Sequence, residues 1–239
     1  MAITDNLAWG FKLDETSGGL IELVGGLDLT ELGTIGSVTG KVGNARSFNF
    51  SDSRATRSNN SAFQLGDIDW THVGWAYPTS FSFGIRGTIV AKTDTTSSAE
   101  WETFFQTDGT LRCQFNGNAT SSNTASLNTW NFWAVRYNAA SDELNVRLGT
   151  TYTNFTSMPA SPTDTTAFWI GGETTSGSPY LLFSGYLDEM FGWKRRLSDT
   201  ELDTIYNGGA GLAYPWVVAN PAVDADYSLF PKEIMRLAL

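Results

Sequence analysis

Carboxylates are the residues of this sequence with the clearest capacity for chemistry, because they can transfer protons or hold a cation. Two adjacent pairs stand out, Asp14-Glu15 and Asp188-Glu189. Neighbouring residues of a β-strand point to opposite faces of the sheet. The two members of such a pair therefore cannot flank one bond as general acid and general base. We expect a protein that is not an enzyme.

The single histidine and the single cysteine support the same expectation. His72 lies in the middle of the apolar stretch Trp70–Trp75, far from any candidate nucleophile, and is typical of a structural histidine. Cys113 alternates with polar residues between Leu111 and Phe115, so it should face the core as a small apolar side chain. One cysteine cannot form an intrachain disulfide. The sequence has no His/Cys metal cluster and no glycine-rich phosphate loop.

Composition and charge exclude further classes of function. The chain has 239 residues, a net charge of −10 and 13% aromatic residues. The acidic balance argues against a nucleic-acid partner, because binding to phosphates needs clustered Lys and Arg. No run of 18 apolar residues predicts a membrane span. The first fifteen residues lack the pattern of a signal peptide, so we expect a protein made in a reducing cytoplasm.

Short apolar stretches separated by turn residues predict an all-β protein. Six residues that alternate with polar neighbours are expected in the core: Leu111, Phe115, Trp133, Val135, Leu144 and Val146. Ser198 and Glu201 form a capping box that predicts one short helix, ended by Asn207-Gly208. The predicted strands are 7–13, 45–50, 70–77, 87–92, 101–106, 111–115, 130–137, 143–148, 167–171 and 186–193.

Three segments together resemble the laminin-G-like, concanavalin A-like superfamily. They are 7–18 (LAWGFKLDETSG), 40–50 (GKVGNARSFNF) and 185–198 (GYLDEMFGWKRRLS), the last being the most specific. The resemblance covers roughly residues 5–212. It implies a two-sheet antiparallel jelly-roll sandwich, to which the sequence adds one short C-terminal helix and an extended tail. We therefore predict a domain over residues 1–212 and an interaction tail over residues 213–239.

The resemblance leaves several functions open, because members of the superfamily bind glycans or proteins, decorate cell surfaces and virions, or carry catalytic sites. Its glycosidases have carboxylates in the spacing Glu-x-Asp-x-x-Glu, which is absent here. Its calcium sites often lie at the rim of the sandwich, held by an aspartate and backbone carbonyls. The superfamily alone therefore does not determine the function.

Calcium is the one candidate cofactor. Strict alternation places Asp188 on the same face as Met190, so its carboxylate should point inward and need a partner. That partner is either a calcium ion or a set of hydrogen bonds from neighbouring loops. Asp14, at the end of the first strand, is a second and weaker candidate ligand. Asp67 and Asp69 share a face, and we expect them at the polar edge of a loop.

Aromatic side chains are candidates for stacking on sugars, but most should lie in the core. We expect Tyr152, Phe155 and Tyr180 to be the more exposed ones, and no motif assigns a glycan site to them. The tail carries apolar residues that should contact a partner or, alternatively, the chain's own sandwich. The candidate partner-binding residues are Trp216, Tyr227, Phe230, Ile234 and Leu237.

Two main hypotheses for function follow. The first is a structural component of a phage virion, such as a head decoration, a head fibre or a tail protein, whose partners are capsid or tail proteins or copies of itself. The second is a carbohydrate-binding, lectin-like adhesion module at a cell surface or outside the cell. The two overlap if a virion protein binds host surface glycans. A hydrolase is a third and remote alternative.

Overall fold

The fold is described by a computed structural model that covers residues 2–82, 84–93, 100–115, 117–163 and 165–216. Two antiparallel sheets, a separate hairpin and one α-helix make up this part of the chain. The strands are β1 (Leu7–Phe11), β2 (Thr30–Leu32), β3 (Gly36–Thr39), β4 (Asn44–Phe48), β5 (Arg54–Arg57), β6 (Trp70–Pro78), β7 (Arg86–Lys92), β8 (Trp101–Gln106), β9 (Thr110–Phe115), β10 (Gly117–Thr124), β11 (Asn131–Asn138), β12 (Glu143–Leu148), β13 (Thr151–Phe155), β14 (Phe168–Ile170), β15 (Glu173–Thr175), β16 (Ser178–Tyr180) and β17 (Gly185–Trp193).

The first sheet has the strand order β13-β12-β11-β6-β17-β4-β3, and β1 pairs with β17 beside β4. The second sheet has the order β10-β9-β8-β7-β14-β5-β2, and β15 pairs only with β16. Strands that are neighbours in a sheet are often distant in sequence, which is the pattern of a Greek-key sandwich. The predicted all-β, two-sheet architecture is confirmed.

Alternating apolar residues of both sheets meet in the main core. The six residues predicted to lie there are all buried with no exposed surface, and they belong to one hydrophobic cluster. A second cluster covers the outer face of the first sheet, which is its face away from the main core. Trp75, Phe132 and Phe191 of that face pack there with the helix.

The helix α1 (Asp199–Tyr206) follows from its local sequence. The side chain of Ser198 accepts a hydrogen bond from the backbone of Glu201, and the Glu201 carboxylate accepts one from the backbone of Ser198. Asn207 ends the helix in the left-handed conformation at φ 49°. The apolar residues Leu202 and Ile205 then face the sheet and anchor the helix on it. This confirms the predicted capping box.

The first residues after the predicted domain boundary at residue 212 pack against the outer face of the first sheet. The ring of Trp216 lies 4.7 Å from that of Phe191 and 5.3 Å from that of Trp193, and it is 4% exposed. Tyr214 stacks on Phe191 at 5.5 Å. Trp216 therefore packs on its own sandwich instead of belonging to a free arm, because burying its indole there removes a large apolar surface from water.

Candidate functional site

An acidic cluster at one rim of the first sheet brings together the two predicted calcium ligands. The loop between β3 and β4 crosses this rim. The backbone N–H of Val42 donates to Oδ2 of Asp188 at 2.9 Å, and that of Asn44 donates to Oδ1 of Asp14 at 2.8 Å. Two aspartates from distant parts of the sequence therefore hold one loop.

The face of Asp188 differs from the one that strict alternation predicted. Asp188 pairs with Trp75 on β6, and the next regular pair is Phe191 with Val73, so β17 contains one extra residue. Glu189 lies in this bulge with φ 47°. A bulge of this kind reverses the facing of the residues that follow it. Asp188 therefore points to the outer face with Trp75, whereas Met190 lies in the main core.

The buried carboxyl groups of this rim have few hydrogen-bond donors around them. Asp188 is fully buried, and its Oδ1 has no hydrogen-bond partner among the described residues; nor has either carboxylate oxygen of Glu189. Burial raises the pKa of Asp188 to about 7. Burial and the neighbouring Asp188 raise the pKa of Glu189 to about 8. Lys12 forms an ion pair with Asp14 at 2.6 Å.

The contacts of Asp188 agree only in part with either predicted partner, the calcium ion or the hydrogen bonds from neighbouring loops. Hydrogen bonds from the loop occupy one carboxylate oxygen, as the alternative without calcium predicts, and leave the other without a donor. Within the described ranges, no group of three or more His, Cys, Asp or Glu side chains is placed to hold a metal ion. A cation at this rim would therefore need backbone carbonyl oxygens as further ligands.

Three aromatic side chains form a half-buried patch on the outer face of the first sheet. Tyr77 and Tyr186 are opposite each other in β6 and β17, and their rings stack at 5.0 Å. Trp130 meets Tyr77 edge to face at 5.5 Å. We call Tyr77, Trp130 and Tyr186 the aromatic patch. The sequence analysis did not identify it, because the pairing of β6 with β17 joins residues more than a hundred positions apart.

A groove of about 320 Å³ runs beside the aromatic patch. It lies between the C-terminal end of α1 and the turn after β12, and its lining includes Trp75, Trp130, Asn123, Gly149 and Tyr206. Aromatic rings form its apolar walls, and amide and backbone groups supply the polar ones. Grooves of this type fit ligands that combine an apolar face with hydroxyl groups.

The polar groups of the groove differ in how accessible they are. Asn123 donates through Nδ2 to the carbonyl oxygen of Leu148 at 3.4 Å, and its Oδ1 is buried without a donor among the described residues. Because that oxygen has no accessible surface, it cannot meet a ligand in the conformation described. Thr124 and Ser126 also line the groove and are exposed. Their hydroxyl groups are therefore suited to hydrogen bonds with a ligand.

The second sheet holds a carboxyl pair that the sequence patterns did not reveal. Glu102 and Glu173 are both fully buried, and the hydroxyl of Thr88 lies 2.8 Å from Oε1 of Glu102 and 3.2 Å from Oε1 of Glu173. Arg86 pairs with Glu102 at 2.6 Å. Burial and the charge of Glu102 raise the pKa of Glu173 to about 9. The pair is buried and offers no surface to a substrate.

The remaining candidate catalytic residues lie in the core. His72 is surrounded by the rings of Trp9, Trp70 and Trp101 at 4.3–5.2 Å, and burial lowers its pKa to about 3. Cys113 is 1% exposed, and burial raises the pKa of its thiol to about 12. An imidazole with so low a pKa is a weak base and is out of reach of a substrate, and a buried thiol that stays protonated is a poor nucleophile. The predicted structural roles of both residues are confirmed.

The other predicted positions are scattered. Tyr152, Phe155 and Tyr180 are half-buried, and they do not form one patch. Asp69 accepts a hydrogen bond from the backbone of Ala139 at 2.9 Å, as expected of a polar loop edge. The predicted tail contacts Tyr227, Phe230, Ile234 and Leu237 lie outside the described residues. No helix in the described ranges is long and apolar enough to cross a membrane.

Comparison with known families agrees with this architecture. Residues 44–203 match the Laminin_G_3 family of the concanavalin A-like lectin/glucanases superfamily. The chain belongs to this family. The match spans β4 to the middle of α1, and it includes Asp188 and the aromatic patch. No curated protein matches the chain significantly.

Several solved structures have the same fold. Domain 4 of AbnA, a GH43 extracellular arabinanase from Geobacillus stearothermophilus, solved in complex with arabinotriose, has a TM-score of 0.64 and 15% identity over 86% of this chain and 98% of that domain. A Trypanosoma rangeli sialidase mutant displaying trans-sialidase activity has a TM-score of 0.67 and 13% identity over 88% of this chain. The binding domain of botulinum neurotoxin DC, in complex with SialylT, has a TM-score of 0.65 and 9% identity over 86% of this chain.

The laminin-G-like chain spans 34% of that sialidase and 52% of that toxin domain. At identities of 9–15%, these similarities show a shared fold. They do not show a shared ligand, because one fold carries many different sites.

Proposed function

We propose that this laminin-G-like domain is a non-catalytic carbohydrate-binding module and that the groove beside the aromatic patch is its sugar site. The observation that carries the proposal is the combination of the half-buried ring of Trp130 with the exposed hydroxyl residues Thr124 and Ser126 in one groove. Sugar rings have an apolar face that stacks on aromatic side chains and hydroxyl groups that donate hydrogen bonds. The groove offers partners for both.

The comparisons support this proposal without deciding it. The arabinanase domain was solved with arabinotriose and the toxin domain with SialylT, so the sandwich is compatible with sugar binding in other proteins. The burial of the carboxyl pair Glu102 and Glu173 argues against a hydrolase. Glu102 and Glu173 are fully buried, and hydrolysis of a glycosidic bond needs two carboxyl groups that flank an accessible substrate.

Binding measurements on a glycan array and by titration with the recognised sugar test the proposal. We expect Trp130→Ala to weaken binding about tenfold or more, because a central Trp often dominates the energy of a binding site. Phe50→Ala is the matched control, since Phe50 is an exposed aromatic residue outside this groove (48% exposed). A chain that binds no glycan, or an equal loss in both variants, would refute the proposal.

A structural calcium ion at the acidic rim is a second part of the proposal. Asp188 would bind it through the unpaired Oδ1, with Asp14 beside it across the loop 40–44. Calcium prefers carboxylate and carbonyl oxygens, and a bound ion would compensate the buried carboxylate of Asp188, which lies beside the buried Glu189. Its role would be to fix the loop on the sheet.

A phage virion component remains the second candidate function, with capsid or tail proteins or copies of the chain as partners. The supporting feature is the sequence after Trp216, which contains Tyr227, Phe230, Ile234 and Leu237 among other apolar residues. Apolar residues in such number need a surface to pack on. Mass spectrometry of purified virions tests this location, and detection only at cell surfaces or in the medium would contradict it.

A further inference from the structure

We infer that the groove selects the neutral end of a glycan, one or two sugar units long, and rejects acidic sugars. This inference rests on the proposed sugar site and adds its chemical class. The described residues that line the groove are aromatic, aliphatic, hydroxyl, amide or glycine residues, and none of them carries a charge. A sugar carboxylate in this groove would lose water without gaining a cationic partner, which is unfavourable.

The nearest cation is already committed to other groups. Arg147 lies below the groove and is 1% exposed. It donates to the carbonyl oxygen of Gly149 at 2.7 Å and forms an ion pair with Asp203 at 2.8 Å. Its guanidinium also lies over the ring of Tyr206 at 5.2 Å. Arg147 therefore shapes the groove wall, and recruiting it for a ligand would cost its contacts with the helix and the turn.

Lys41 is the other cation near the groove. Its ammonium group lies over the ring of Trp75 at 4.8 Å, and it is not one of the groove-lining residues. Tyr206 stacks on the same indole at 5.8 Å. The net charge of −10 also repels anionic ligands from the protein as a whole. The uncharged lining of the groove and the negative net charge of the protein thus both favour a neutral ligand over an anionic one.

The polar groups of the groove indicate how a neutral sugar is read. Asn131 uses its amide within the protein: Nδ2 donates to the carbonyls of Ser126 and Thr129, and Oδ1 accepts from the backbone of Ser126. It fixes the loop that carries Trp130. Thr124 and Ser126, in contrast, line the groove as exposed residues. Their hydroxyl groups can donate to and accept from sugar hydroxyls, so these are the residues that should contact the ligand directly.

The size of the groove limits the length of the glycan. Its volume of about 320 Å³ is close to the lower end of ligand-binding sites, which span about 300–1,000 Å³. This space suits one or two sugar units. A longer glycan would extend out of the groove into solvent, so the sugar units outside the groove should add little affinity.

Matched pairs of glycans test the inference. Each pair consists of a neutral oligosaccharide and the same oligosaccharide capped with sialic acid or a uronic acid, titrated against the full chain. We expect the neutral member to bind and the acidic cap to weaken binding about tenfold or more. Thr124→Val combined with Ser126→Ala should weaken binding to the neutral sugar, because it removes the two exposed hydroxyl groups of the groove, while Phe50→Ala should not.

The outcomes separate this inference from the function on which it rests. If an acidic glycan binds as tightly as its neutral partner, and Trp130→Ala removes that binding, the sugar site stands and the inference is wrong. If neither member of any pair binds, the proposed function itself fails. Trp130→Phe serves as a second variant if Trp130→Ala lowers the melting temperature, because it retains an aromatic wall.

Discussion

The backbone N–H of Val42 donates a hydrogen bond to Oδ2 of Asp188 across 146 positions of sequence. This contact ties the loop 40–44 to β17. The other carboxylate oxygen of Asp188, Oδ1, is buried without a donor among the described residues. The same aspartate therefore both holds a loop and retains one free acceptor. That free acceptor is the reason to test calcium at this rim.

Calcium should raise the melting temperature if the rim binds it. A ligand that binds only the folded state at a hundredfold excess over its Kd adds about 2.7 kcal/mol, which for a domain of this size corresponds to about 5–10 °C. Asp188→Asn should remove the shift while keeping a side chain of the same shape. The measurement is thermal unfolding with calcium and with chelator, and identical curves for the native sequence would show that the rim binds no calcium.

The buried carboxyl of Glu173 predicts a pH dependence of stability. Its pKa is about 9 in the folded protein, above the value of about 4.3 in an unfolded chain. The folded state thus keeps a proton that the unfolded state loses, so the free energy of unfolding should fall as the pH rises from about 4.3 to about 9. Glu173→Gln retains a hydrogen-bonding side chain that cannot ionise, and it should flatten this fall.

Denaturant unfolding between pH 6.5 and 9 measures the slope for both proteins. Glu143→Gln is the matched control, because Glu143 is a partly exposed glutamate that pairs with Arg196 at 2.8 Å. Its replacement should leave the slope of the native sequence unchanged. Equal slopes for the native sequence and for Glu173→Gln would mean that the buried pair is not protonated as described.

The parts of the fold that sequence patterns predict are those set by local physics. The capping box at Ser198 and the alternation around Cys113 act over a few residues, and both predictions are confirmed. The family motif around Asp188 indicated the correct fold. Strict strand alternation predicted that Asp188 points inward, and this was wrong because no local signal marks the bulge at Glu189.

Sequence patterns could not predict the candidate site, for a related reason. Tyr77 and Tyr186 come together only through the pairing of β6 with β17. Glu102 and Glu173 likewise meet only because the segment after β14 folds back over the second sheet. Each residue alone looks like an ordinary strand position. Their chemistry depends on which distant strands and loops come together in the fold, and neither composition nor local periodicity specifies that.

His72 should be replaceable without loss of stability. Both ring nitrogens are buried and have no hydrogen-bond partner among the described residues, so the imidazole pays a desolvation cost. We expect His72→Leu to change the free energy of unfolding by less than about 1 kcal/mol or to stabilise the protein. Trp133→Ala, which empties a fully buried site, should cost about 3–5 kcal/mol in the same denaturant titration. A loss of that size for His72→Leu would reveal a hydrogen bond to His72.

Truncation at two points distinguishes the packed C-terminal segment from an interaction arm. A chain ending at Trp216 keeps the contacts of Tyr214 and Trp216 with Phe191, so its stability should match that of the full chain. A chain ending at Ala213 loses both rings and exposes Phe191 and Trp193, and it should lose about 3–5 kcal/mol. Denaturant unfolding measures both losses.

If residues 217–239 form an interaction arm, the chain ending at Trp216 should also lose self-assembly or incorporation into virions, as measured by light scattering or by mass spectrometry of particles. A loss of several kcal/mol on removing 217–239 alone, with assembly intact, would assign those residues to the sandwich.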